Sequence, residues 1–95
     1  MTEKDAKKIL EGLTHPEIDV NLVELGIVKD IKQDENKVTV TIAFPFPMVP
    51  IRGMIIESVR KALEDNGFEV TIQETVMTPE ERERFFKLER EKWKF

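Results

Sequence analysis

One histidine, one serine and no cysteine stand where a nucleophile or a soft metal ligand would have to be sought in this chain of 95 residues. His15 precedes Pro16 and has Glu17 and Asp19 close by in sequence, the neighbours a general base or a metal ligand would want. A typical zinc site needs three or four nitrogen, sulfur or carboxylate ligands, mostly His and Cys. His15 is therefore expected as a surface residue that ends a helix. Ser58 falls inside a helical pattern, with no base beside it and no strained turn to expose it. Glu17, Asp19 and Glu24 lie in an irregular stretch, where paired carboxylates do acid–base work or hold a divalent cation. Acids there also serve simply as turn formers and helix starters. No catalytic residue, no metal ligand and no cofactor is predicted from these types and spacings.

Two further features concern binding. The glycines at 12, 26, 53 and 67 are dispersed, so no glycine-rich phosphate loop exists. Gly53 falls at the start of a helix, where free N–H groups and the dipole favour an anion, and Arg52 adjoins it. Arg52 and Gly53 are read as a hold on an acidic partner, against the plainer outcome that Arg52 folds back onto Glu57, Glu24 or solvent. The second feature is Phe44-Pro45-Phe46-Pro47-Met48-Val49-Pro50-Ile51, eight residues without a charge in a chain that is 36% charged. Prolines limit the entropy such a loop loses on binding, and Phe and Met are favoured at interface cores. The segment reads either as an exposed docking loop or as core filling where strand meets helix.

The class of protein follows from composition. Fifteen basic against 19 acidic residues leave a net charge of −4, the wrong sign for a nucleic-acid binder. Apolar residues make up 40%, enough for one core and too many for wholesale disorder. The longest uncharged run, Val38 to Ile51, holds three prolines and is too short to span a bilayer. The first residues lack a signal-peptide core. A cytoplasmic location is expected, with no membrane partner. Abundant Glu, Lys, Arg and Ile beside only five Asn and Gln lean toward a thermophilic source.

These candidates are positioned by six predicted elements. Ala6, Ile9, Leu10 and Leu13 make one apolar stripe, predicting a helix over 3–13 with Thr2 and Asp5 near its cap. Thr14 to Gly26 is irregular. Ile27 to Gln33 and Lys37 to Phe44 read as a hairpin of strands around Asp34-Glu35-Asn36, the second with clean alternation of Val38, Val40 and Ile42. Ile51 to Asn66 is a helix burying Ile51, Ile55, Val59, Ala62 and Leu63, ended by Gly67. Phe68 to Val76 is a third strand. Thr78-Pro79-Glu80-Glu81 carries a capping-box signature for a last helix to about Lys94, supported by Glu80/Arg84 and Glu83/Lys87 pairs. The order predicts an α+β two-layer domain with a small mixed three-stranded sheet. The third strand is expected parallel to a hairpin strand by a crossover. One domain is expected over 1–95, the helix from about 78 onward being an appended element.

In this frame the residues resemble a known family. A helix, His15-Pro16-Glu17, Val23-Glu24-Leu25-Gly26-Ile27-Val28, a hairpin and a proline-bearing loop entering a helix look like the cluster-assembly domain of PaaD and SufT proteins. The resemblance covers about residues 5 to 76. It implies a role in iron–sulfur cluster assembly and in maturing recipient proteins. Where the family carries Cys-Pro after the second strand, this chain has Val49-Pro50; its Asp-Pro-Glu is His15-Pro16-Glu17, and its Asp-Leu-Gly is Glu24-Leu25-Gly26. Clusters are held mainly by thiolates, which this chain does not offer.

The reading that follows is a non-enzymatic adaptor that acts through protein contacts with iron–sulfur assembly components. Its partner-binding residues are Phe46, Pro47, Met48, Val49, Pro50, Arg52, Gly53, Glu17 and Glu24. Two other classes stay open: a small-ligand or divalent-metal domain using Glu17 and Glu24, and a homo-oligomer joined through Phe85, Phe86 and Trp93 of the last helix.

Overall fold

A computed structural model describes residues 5–93 of the chain. In chain order the elements are α1 (Ala6–Glu11), β1 (Val28–Asp34), β2 (Lys37–Phe44), α2 (Arg52–Glu64), β3 (Glu69–Val76) and α3 (Pro79–Lys92). The order and the α+β class match the periodicity.

The first helix is shorter than predicted. Asp5 caps it by accepting from the Lys7 N–H at 3.0 Å, and Gly12 closes it through its N–H to the Ile9 carbonyl. A start at Glu3 and a capping role for Thr2 lie outside the described residues. Between α1 and β1 the chain folds on itself. The Leu22 N–H donates to Leu13 O and the His15 N–H to Val20 O, which turns Ile18, Leu22 and Leu25 into the core.

β1 and β2 form the expected antiparallel hairpin, with Glu35 at φ 57° in its turn. Their register shifts between Lys29 and Lys32, and Asp30 sits at φ 51°. This bulge is why the alternation of β1 is only partial in sequence. In β2, Val38, Val40 and Ile42 are buried while Thr39 and Thr41 are half-buried. β2 and β3 pair in parallel, Lys37 with Glu69 through Phe44 with Val76, so the sheet order is β1-β2-β3. α2 is the connection between these parallel strands.

α2 buries Ile55, Val59 and Leu63 against the core as its pattern predicts, whereas Ile51 and Ala62, expected on the same buried face, are half-buried. It ends two residues early, and Gly67 at φ 88° turns the chain into β3, a conformation that favours glycine. α3 begins with the full capping box. The Glu81 N–H donates to Thr78 Oγ1 at 3.2 Å, and Glu81 Oε1 accepts from the Thr78 N–H at 2.9 Å. Glu81 also pairs with Lys29 of β1 at 3.0 Å, so the cap and the sheet share one carboxylate. Among the described residues the ion pairs are Lys29–Glu81, Arg52–Glu74 and Arg60–Glu57, so the expected Glu80/Arg84 and Glu83/Lys87 pairs do not form. At the far end of α3, Trp93 bridges Ile18, and the Asp19 N–H donates to Lys92 O at 2.8 Å. Among the described residues no helix is long and apolar enough to cross a membrane.

Candidate functional site

The segment after β2 has two sides. Phe44 and Pro45 are buried, and Phe44 O accepts from the Met77 N–H at 2.8 Å, which fixes where the loop leaves the sheet. Phe46 is then 48% exposed and Met48 87% exposed, while Val49 and Ile51 return to pack on the core. Both sequence readings of the segment are therefore present. Its ends fill the core, and its middle faces solvent.

An open groove of about 650 Å³ runs beside the loop. It is lined by Phe44, Phe46, Pro47, Met48, Val49 and Pro50, by Arg52 and Gly53 at the start of α2, and by Glu74, Thr75 and Val76 of β3. Arg52 and Glu74 form an ion pair across this rim. The partner of Arg52 is thus neither Glu57, Glu24 nor solvent. A carboxylate near the C-terminal end of β3 faces it, because the parallel register carries Glu74 level with Ile42, near the loop. Ile51, at the N-cap of α2, makes no side-chain capping bond.

Behind the loop lies a smaller hollow of about 220 Å³, bounded by His15, Glu17, Phe85, Phe86, Glu89 and Trp93 together with Pro45, Phe46 and Met48 to Ile51. The Phe46 and Phe86 ring centroids are 5.7 Å apart, and the Arg82 guanidinium carbon sits 5.7 Å from the Phe46 centroid. Such stacking and cation–π contacts are each worth about 0.5–1.5 kcal/mol. α3 therefore pins the loop from one side and leaves Met48 outward. This was the feature missed in the sequence. The signal was present: Arg82 and Phe86 are four residues apart and share one helix face.

His15 is 4% exposed, which corrects its reading as a surface residue. Its Nδ1 accepts from the Glu17 N–H at 3.0 Å, and its ring meets Phe85 edge-on with centroids 6.5 Å apart. The imidazole serves as a local acceptor within the fold, since a backbone N–H can only donate. Glu17 lines the smaller hollow, whereas Glu24 is exposed and borders neither cavity. The Glu24 N–H instead donates to Asn21 Oδ1 at 2.8 Å, a turn contact. The structure thus gathers Phe46, Pro47, Met48, Val49, Pro50, Arg52 and Gly53 around one groove, places Glu17 in the smaller hollow, and leaves Glu24 at neither. Among the described residues no group of three or more His, Cys, Asp and Glu is placed to hold a metal ion. Phe85 is buried and Phe86 half-buried against the loop, whereas Trp93, the third ring of the expected self-association contact, is 43% exposed.

Glu81 is held below the ordinary carboxylate range, first by the Thr78 N–H and then by Lys29.

Comparison with known proteins fits this geometry. The model of the family described as iron-sulfur cluster assembly protein matches residues 3–73, everything up to the middle of β3. The Fe-S protein maturation auxiliary factor YitW of Bacillus subtilis is 37% identical over 57 residues, covering 59% of this chain and 56% of that protein. An Fe-S protein maturation auxiliary factor of Porphyromonas gingivalis is 36% identical over 64 residues, covering 66% of this chain and 61% of that protein. The chain thus matches less than two-thirds of the length of these curated relatives. A crystal structure of a domain of unknown function, DUF59, from Bacillus anthracis superposes with a TM-score of 0.62 at 30% identity, covering 87% of each chain. A conserved hypothetical protein from Thermotoga maritima gives a TM-score of 0.64 at 29% identity, covering 90% of this chain and 94% of that one. With the helix, the hairpin, the proline loop and the crossover helix all inside the matched residues, the chain belongs to the iron-sulfur cluster assembly protein family.

Proposed function

We propose that this chain is a non-enzymatic adaptor in iron–sulfur protein maturation, acting in the cytoplasm by docking other proteins at the groove beside the Phe44–Ile51 loop. Family membership and relatives named Fe-S protein maturation auxiliary factors support the pathway. The cluster itself would be cargo, and its ligands do not fit here. The resemblance implies that Val49 takes the place of the family's loop cysteine, and no cysteine in the chain offers a thiolate to hold iron. In this reading the chain does not itself carry the cluster.

The observation that carries the adaptor reading is the loop's construction. Met48 is 87% exposed at its crest, yet Phe46 behind it is fixed by Phe86 and Arg82. An exposed apolar anchor on a rigid support loses little entropy on binding. A flexible thioether also adapts to different apolar surfaces. Arg52 and Glu74 supply the polar rim around that apolar centre, the arrangement seen in protein interfaces. One domain covers 1–95 in this reading, and α3, beyond the matched residues 3–73, is an element added to brace the loop.

The test is affinity capture from the native source with wild type and with the double substitution Phe46→Ala, Met48→Ala. Iron–sulfur assembly or recipient proteins are expected with wild type and depleted with the variant. Recovery of the same partners by both forms would remove the loop from the account.

A further inference from the structure

The two edges of the sheet are built differently. β1 is broken by its bulge, carries Asp30 at φ 51°, and bears Lys29 and Lys32, the devices that keep an edge from pairing. β3 has none of them. It runs eight residues, Glu69–Val76, in unbroken register with β2, and it contains neither proline nor lysine.

The direction of its free groups follows from two bonds. The Glu69 N–H donates to Asn36 O and the Met77 N–H to Phe44 O, so odd-numbered residues face β2. Alternation then turns the N–H and C=O of Val70, Ile72, Glu74 and Val76 outward. Among the described residues no hydrogen bond reaches these four N–H groups.

The residues along this edge read Val70-Thr71-Ile72-Gln73-Glu74-Thr75-Val76. That string is the same from either end except at Ile72 and Glu74. A two-fold interface requires self-complementarity, each residue meeting its mirror position in the partner. We infer that β3 pairs with β3 of a second copy, antiparallel, about a two-fold axis at Gln73, joining the two sheets into one.

This register satisfies several independent demands. Only an axis on a residue, not between two, lets outward groups face outward groups. The register that would set Glu69 against Glu74 falls between residues and is excluded. An axis at Gln73 engages all four outward residues, Val70 with Val76 and Ile72 with Glu74. On the face away from α2, Thr71 meets Thr75 and Gln73 meets Gln73, neutral pairs that hydrogen-bond across strands. On the other face, half-buried Val70 covers Val76, which is 40% exposed in one chain alone. The single unmatched position is Glu74, and its charge is already met by Arg52 of its own chain. The partner's Val70 would then stand beside Val76 at the mouth of the groove. The inference is independent of the docking reading, because it uses the strand's backbone and not the loop.

Sedimentation of the full chain over a concentration series tests it. The mass is expected to rise from that of one chain, 11.1 kDa, toward twice that value. Gln73→Lys and Gln73→Glu each place like charges on the axis and are expected to remain monomeric. Mixed together, they are expected to associate one to one. Amide exchange adds a readout of fold and site: Val70, Ile72, Glu74 and Val76 should be protected in the wild-type dimer and exposed in Gln73→Lys, with β2 protection unchanged. A wild type that stays monomeric throughout, or a dimer that persists in Gln73→Lys, would overturn the proposal. So would charge-swapped chains that fail to associate, which would also leave β3 open to some other protein's strand.

Discussion

The guanidinium of Arg82 lies over the ring of Phe46, 5.7 Å from its centroid, and so ties the last helix to the proline loop. The contact joins an element beyond the family match to the segment proposed to bind partners. Removing it should loosen the loop without unfolding the protein. Arg82→Ala is expected to cost about 0.5–1 kcal/mol of stability in urea denaturation. Phe85→Ala, which empties a buried site, is expected to cost about 3–5 kcal/mol. Equal losses for the two would contradict the assignment of Arg82 to the loop and Phe85 to the core.

A second prediction concerns acid. Glu81 has its folded pKa below the unfolded value, so its stabilisation is full above the unfolded pKa, about 4.3 for glutamate, and is lost as pH falls through the folded pKa. Denaturant midpoints measured down through that range should fall more steeply for wild type than for Glu81→Gln. Lys29→Met should flatten the dependence only in part, because the larger cause is the Thr78 N–H. Identical slopes for wild type and Glu81→Gln would refute this.

His15 offers a third. Its Nδ1 is the acceptor for the Glu17 N–H, and the ring is buried beside Phe85. His15→Ala leaves that N–H without its partner, at a cost of about 1–3 kcal/mol in denaturant unfolding. A loss within about 0.5 kcal/mol, typical of a surface site, would restore the surface reading.

The two neighbours at the loop crest should differ in access. Met48 is 87% exposed, whereas Val49 is half-buried and packs on the core. In a chain with no native cysteine, Met48→Cys should react with a maleimide at the rate of a free thiol and Val49→Cys more slowly. Equal rates would mean that the loop is not held as described.

What was legible in the sequence, and what was not, divides along physical lines. Local signals carried well. The capping box at Thr78 and Glu81, the alternation of Val38, Val40 and Ile42, and the glycine turn at Gly67 are decided within a few residues. Partners distant in sequence did not show. Arg52 meets Glu74 because of the parallel register, and Lys29 meets Glu81 across 52 positions. His15 looked like a helix terminator by its proline, yet the folding back of residues 13–22 buries it. Glu17 lines the smaller hollow and Glu24 does not, since closeness along an irregular segment does not fix a shared cavity.

The adaptor account stands on Met48 being a contact point, and photocrosslinking from that position in living cells measures this directly. With a photoreactive residue at 48, the account predicts covalent adducts to iron–sulfur assembly or recipient proteins, reduced when Phe46→Ala frees the loop. An absence of such adducts, or a pattern unaffected by Phe46→Ala, would contradict it.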